Sequence, residues 1–121
     1  MKIYVASEAE NRDEAKDAMR LLFLHRHQIT RDWTTCYGRN VENAEGDLQG
    51  VTDCDVFIGL FTKDLPYRGA LVELGAALAL KKQVFIIGPY LEPCIFSHLK
   101  ECQKVSCVAD VIDALASETP S

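Results

Sequence analysis

Long apolar runs are missing from these 121 residues, and none approaches the roughly 20 positions a helix needs to cross a bilayer. Met1 leads into charged and polar residues rather than the apolar core of a signal peptide, so a cytoplasmic protein without a membrane partner is expected. Cysteine motifs are missing as well. Cys36, Cys54, Cys94, Cys102 and Cys107 include no C-x-x-C pair, and their odd number leaves at least one unpaired in any disulfide scheme; reduced thiols are the expectation. The histidines form no cluster of metal-ligand spacing with these cysteines, so no metal site is expected. His25 and His27 fall instead where they would complement the end of a helix.

A surplus of positive charge is also absent. Thirteen Lys and Arg against 18 Asp and Glu give a formal charge of −5, without the basic stripe that supplies most non-specific nucleic-acid affinity. A nucleic-acid polymer is therefore not an expected partner. A small anion is a different matter, since helix N-termini and one or two arginines can hold a phosphate inside an acidic protein. The dinucleotide fingerprint G-x-G-x-x-G, the triphosphate fingerprint G-x-x-x-x-G-K-[ST] and the G-x-S-x-G nucleophile elbow do not occur, and no cofactor is expected.

What is present is centred on Asp55 to Gly88, DVFIGLFTKDLPYRGALVELGAALALKKQVFIIG. Two near-continuous apolar runs, Val56 to Phe61 and Val84 to Ile87, flank a helical stretch from about Gly69 to Lys82. Strands covered on both faces need no wet side, so this is the pattern of a parallel β-α-β unit. Upstream, Ile3 to Ala6 reads as an opening strand and Asn11 to His25 as an amphipathic helix, with Ala15, Ala18, Met19, Leu22 and Phe23 inward and Asn11 as a candidate N-cap. Gln28 to Trp33 reads as a second strand, Thr34 to Asn43 as a polar loop, and Ala44 to Thr52 as a short helix. After Gly88, Pro89 to Lys100 is irregular, with a helical turn around Phe96 to Leu99. Lys104 to Cys107 is a fifth strand, Ala109 to Ala116 a closing helix, and Ser117 to Ser121 a frayed tail. At 48% hydrophobic content the length suits one core, so residues 1–116 are expected to form a single domain. Successive β-α units with right-handed crossovers predict an α/β fold: a doubly wound five-stranded parallel sheet in a flavodoxin- or Rossmann-like three-layer sandwich.

Ligands of such sheets sit outside the carboxyl ends of the strands, near the switch point of strand order. Four segments reach that rim: Ser7 to Arg12, Asp32 to Asp47, Thr62 to Glu73, and Gly88 to Phe96. Asp47 and Glu73 each fall in the first turn or so of their helices, where the dipole would keep a carboxylate ionised, as a nucleophile must be. Acidic residues also occur in first turns merely because they complement the dipole, so position alone leaves both readings open. Asp55 reads as a turn or capping residue. Gly69 suits close approach of a ligand, whereas Gly75 suits packing of the helix on the sheet. Trp33 and Tyr37 can stack on a base or simply pack.

Four segments taken together resemble the nucleoside 2-deoxyribosyltransferase superfamily, including its nucleotide N-glycoside hydrolase branch. They are the opening K-I-Y-V-A-S with a following N-R, D-L-Q-G-V-T-D-C-D-V-F-I-G-L, G-A-L-V-E-L-G-A-A-L-A-L-K-K-Q-V, and I-I-G-P, spread over about Lys2 to Ala116. The resemblance implies cleavage or transfer at the N-glycosidic bond of a (deoxy)nucleoside or nucleoside 5′-monophosphate through a covalent glycosyl-glutamate. It implies Glu73 as nucleophile, Asp47 for base contact and proton transfer, and Tyr4 as support for the nucleophile. It also implies a homodimer or larger assembly. Ser7 and Arg12 are candidates for binding a phosphate, with Gly69 and Trp33 beside the substrate. The chain departs from the family in three places. Tyr67 and Arg68 stand where transferases carry an acidic residue, Leu71 replaces a glycine, and Ser7-Glu8-Ala9-Glu10 replaces a glycine-rich phosphate loop. A non-catalytic nucleotide-binding module of the same fold, and an NAD-cleaving domain of the Toll/interleukin-receptor kind, are the alternatives.

Overall fold

The structure, a computed structural model, describes residues 1–118. Its strands are β1 (Lys2–Ala6), β2 (Gln28–Ile29), β3 (Val56–Leu60), β4 (Gln83–Ile87) and β5 (Cys102–Val105). They pair in the order β2-β1-β3-β4-β5, every pairing parallel. Ile3 lies opposite Val56, Val56 opposite Gln83, and Val84 opposite Cys102. Every residue of β3 is buried, because Val56 to Leu60 offers only apolar side chains and one glycine to the two helical layers. The helices are α1 (Arg12–Leu24), α2 (Val41–Asp53), α3 (Arg68–Ala79) and α4 (Val108–Glu118). α1 packs with α4, and α2 with α3. The strand order is that of flavodoxin-like sheets, and it reverses direction between β1 and β3. No helix among the described residues is long and apolar enough to cross a membrane.

Several boundaries differ from the sequence reading, each for a local reason. The second strand is two residues long. Trp33, expected at its end, sits instead in a 3-10 turn, Trp33–Thr35, whose Thr34 N–H and hydroxyl both donate to Asp32. α2 begins at Val41 rather than Ala44, because Asn40 caps it by accepting from the Asn43 N–H at 2.9 Å. α3 stops at Ala79, and the chain turns through Lys81 at φ 60° before β4. β5 runs two residues earlier than expected, and the Asp110 carboxylate accepts from the Ser106 N–H at 3.0 Å ahead of α4. The β4–β5 connection holds only a 3-10 turn, Ile95–His98.

Asn11 precedes α1 without capping it by its side chain. Its amide turns inward, fully buried, and donates to Ser7 Oγ at 3.1 Å and Thr62 Oγ1 at 3.4 Å. Phe23, expected in the core, is 70% exposed. Asp55 does act as a cap, accepting from the Lys2 N–H where β1 begins. His25 lies at the α1 C-terminus with its ring on the Leu21 carbonyl. The five cysteines are free. Ser117 and Glu118, expected in a tail, form the last residues of α4, and Glu118 accepts from Gln83 Nε2 at 2.8 Å. The remainder of the expected tail, residues 119–121, lies outside the described residues.

Candidate active site

A cleft of about 720 Å³ opens at the carboxyl edge of the sheet, bounded by β1, the segment after it, the loop before α2, and the starts of α2 and α3. Its walls include Tyr4, Ser7, Arg12, Trp33, Asp47, Gly69 and Glu73, so the seven residues singled out from sequence share one cavity. Glu8, Cys36, Arg39, Asn40 and Asn43 also reach it.

Tyr4 forms the floor. Its ring is fully buried in β1 beside Phe57, and α2 passes over it at Gly50, where an added Cβ would come within 2.9 Å of the ring. Its hydroxyl donates to Glu73 Oε2 at 2.6 Å. On α3, Ala70, Leu74 and Ala77 face the sheet, which leaves the neighbouring Glu73 at the border between core and cleft. Neither acid lies in a first helical turn: Glu73 is the sixth residue of α3 and Asp47 the seventh of α2. The dipole argument therefore does not hold Glu73 ionised. Burial pushes its carboxyl up to about 7, the Tyr4 hydrogen bond opposes that rise, and the charge of Asp47 adds to it. Near neutral pH the group is thus divided between acid and carboxylate. Tyr4 is driven upward by burial and then by the Glu73 charge, and remains a neutral donor.

Asp47 faces the cleft from α2. Its Oδ1 accepts from Arg31 Nε at 3.2 Å, and Arg31 Nη2 donates to Asn43 Oδ1, also at 3.2 Å. Arg31 carries no signal in the sequence, since it follows the shortest strand and belongs to no motif. Neither Tyr67 nor Arg68, the departures from the resembled family, lines the cleft. Tyr67 is buried in the left-handed region at φ 51°, with its hydroxyl bonded to both the N–H and carbonyl of Lys63, while Arg68 is exposed.

At the other end of the cleft, Ser7 donates to the Leu60 carbonyl and Arg12 to the Thr34 carbonyl. The Arg12 guanidinium lies 4.3 Å from the Tyr37 ring centroid and 5.8 Å from that of Trp33. Trp33 is anchored by its indole N–H on the Val5 carbonyl at 2.6 Å, so it presents a fixed apolar wall, whereas Tyr37 is 73% exposed. An added Cβ at Gly69 would meet nothing within 4 Å, and Gly75, expected to pack on the sheet, also faces open space.

No protein-family model and no curated protein matches the sequence. Solved structures do. A 2-deoxyribosyltransferase from Bacillus psychrosaccharolyticus superposes with a TM-score of 0.69 at 20% identity, over 93% of this chain and 91% of that one. The CMP N-glycosidase BcmB of Clostridium botulinum gives 0.63 at 16% identity, over 97% and 99%. A deoxyribosyltransferase from Leishmania mexicana gives 0.57 at 21% identity, over 76% and 69%. This chain has their fold. In this chain, two carboxylates on neighbouring helices and a buried phenol line one cleft at the sheet's switch point. This arrangement can deliver a nucleophile to an electrophilic carbon while a second acid faces the group that leaves.

Proposed function

We propose that the protein cleaves or transfers at the N-glycosidic bond of a nucleoside or nucleoside 5′-monophosphate, with Glu73 as nucleophile, Asp47 facing the departing base and Tyr4 supporting Glu73. The observation that carries this reading is the pair formed by Tyr4 and Glu73, with Asp47 across the same cleft. It is supported by a fold shared with enzymes described as a 2-deoxyribosyltransferase and a CMP N-glycosidase.

The chemistry follows from the two acids. As the bond from C1′ to the base lengthens, positive charge develops on the sugar, and the Glu73 carboxylate closes on C1′ to form a glycosyl ester. The base leaves on the Asp47 side and takes a proton from water as it goes; water or the N–H of a second base then attacks C1′, loses that proton to solvent, and frees Glu73 as the carboxylate. The Tyr4 hydroxyl offsets carboxylate charge in the resting protein and orients Oε2, so that Oε1 is left to attack. Ser7, Arg12, Gly69 and Trp33 line the substrate side, and Arg12 with Arg39 supplies the positive charge of the cleft beyond Arg31. A small nucleoside or nucleotide, without a cofactor, is the proposed substrate.

A second copy of the chain is proposed to cover α3. Val72 is 65% exposed and Leu80 50% exposed, and Gly75 and Ala79 share the outer face of that helix with Val72. Small and apolar residues on an outer helix face suit close approach by a like helix.

The test is incubation with a panel of ribo- and deoxyribonucleosides and their 5′-monophosphates, following free base, alongside E73Q. A 2-fluoro substrate with a good leaving base, in which the fluorine slows both steps and the leaving group keeps formation of the ester faster than its hydrolysis, is expected to leave a sugar adduct on Glu73 in intact-mass spectra. Release of base by E73Q at the parent rate would overturn the mechanism.

A further inference from the structure

Arg31 is held in place from both sides. Just before it, the Thr30 N–H donates to the Ile3 carbonyl at 3.0 Å, and the Thr30 hydroxyl donates to the Gly50 carbonyl of α2 at 2.7 Å. The Arg31 side chain then runs over two glycines one turn apart on α2. An added Cβ at Gly50 would lie 2.6 Å from Arg31 Cβ, and one at Gly46 would lie 2.6 Å from Arg31 Cζ. Two absent side chains thus make a groove that fits this arginine and delivers its Nε to Asp47 Oδ1. Asp47 Oδ2 has no hydrogen-bond partner among the described residues. Beyond Asp47, Arg31 bonds Asn43, whose amide donates to the carbonyls of Tyr37 at 3.0 Å and Gly38 at 2.9 Å. The arginine therefore ties Asp47, through Asn43, to the loop that leads into α2.

We propose that Arg31 is a positioning residue that clamps Asp47 by one oxygen, presents the other to the departing base, and offsets the Asp47 charge in front of Glu73. The catalytic part of this inference rests on the proposed function above; the electrostatic part does not. The charges and titratable groups facing Glu73 are few. Tyr4 comes from β1, Asp47 from α2 and Arg31 from the segment after β2, while β3 and β4 carry no titratable side chain. Glu8, Arg12 and Arg39 line the cleft further out. The Asp47 charge raises Glu73, and Arg31 is the cation opposing the acids at Tyr4. Removing Arg31 leaves Asp47 uncompensated beside a half-buried carboxyl, so Glu73 should become harder to ionise.

The test compares the parent with R31M, R31K and G46A, using two readouts: base release from the substrate panel as a function of pH, and the titration of the Glu73 side chain by carboxyl-carbon NMR, assigned with E73Q. R31M is expected to raise the Glu73 midpoint by about one pH unit and to lower kcat/KM by roughly ten- to a hundredfold. R31K, which keeps the charge, is expected to leave the midpoint near the parent's while losing rate through poorer geometry. G46A changes no charge and suits a helix, yet its methyl would displace the guanidinium; it is expected to shift both readouts in the direction of R31M. A parent that releases no base defeats the proposed function, and the titration then decides Arg31 alone. An unmoved Glu73 midpoint in R31M overturns the electrostatic role. Equal loss of rate in R31M and R31K with no shift of midpoint marks Arg31 as merely structural, and parent rates in R31M overturn the clamp.

Discussion

The Tyr4 hydroxyl and Glu73 Oε2 lie 2.6 Å apart, joining the first strand of the sheet to the third helix across 69 positions of sequence. Both partners are constrained: the ring is fully buried under Gly50, and the carboxyl is pushed up to about 7 by burial. The bond favours the charged form of Glu73 in a setting that otherwise opposes it. Y4F keeps the packing and removes only that donor. Its expected effects are a rise in the pH at which base release reaches half its plateau and a loss of rate of about tenfold or more even on the plateau. A pH profile of kcat/KM for parent and variant measures both; superimposable profiles would sever Tyr4 from the chemistry.

D47N should move the acid limb the opposite way from Y4F while also lowering the plateau. Asp47 raises Glu73 through its charge, so the amide is expected to move the acid limb of the profile to lower pH. The plateau is expected to fall by between about 10²- and 10⁴-fold, because the departing base loses its partner. A variant whose limb moved down without loss of plateau would leave Asp47 an electrostatic neighbour and no more.

The architecture was legible in the sequence because β3 and β4 are apolar on both faces and the helices between strands keep a 3.6-residue pattern, which only a parallel sheet satisfies. Tyr4, Asp47 and Glu73 were legible through the order and spacing of short motifs. What misled was the helix boundary. Capped by Asn40, α2 begins three residues upstream of the expected start, and α3 begins at Arg68, so both acids moved into second turns and the dipole no longer explained their ionisation. Arg31 was invisible for a different reason. Its role depends on a groove over Gly46 and Gly50, and the absence of two Cβ atoms on another helix leaves no trace in the pattern around the arginine itself.

V72E places a charge on the outer face of α3, where the parent exposes valine beside Gly75 and Ala79. Sedimentation velocity is expected to give a dimer or larger species for the parent and a monomer for the variant, with unchanged thermal stability of the monomeric fold. A parent that sediments as a monomer across the micromolar range would remove the second copy from the proposal.

E73Q is expected to lose base release and gain stability, with a pH dependence whose sign is fixed by the carboxyl. In the unfolded chain Glu73 titrates near 4.5, and in the fold at about 7. Below 4.5 both states hold the proton and the residue makes no difference. Between 4.5 and 7 the unfolded chain gives up its proton while the folded protein keeps it, so the parent loses stability as pH rises. Above 7 both are ionised and the full cost of a buried carboxylate is present, up to about 3 kcal/mol for a shift of this size. Glutamine can still accept from the Tyr4 hydroxyl and never ionises. Urea unfolding at pH 5, 6, 7 and 8 is therefore expected to show a gap between E73Q and the parent that widens with pH and levels off near 8. Parallel stability curves over that range would mean that Glu73 is not held against ionisation, and the same measurement would remove the physical reason for its pairing with Tyr4.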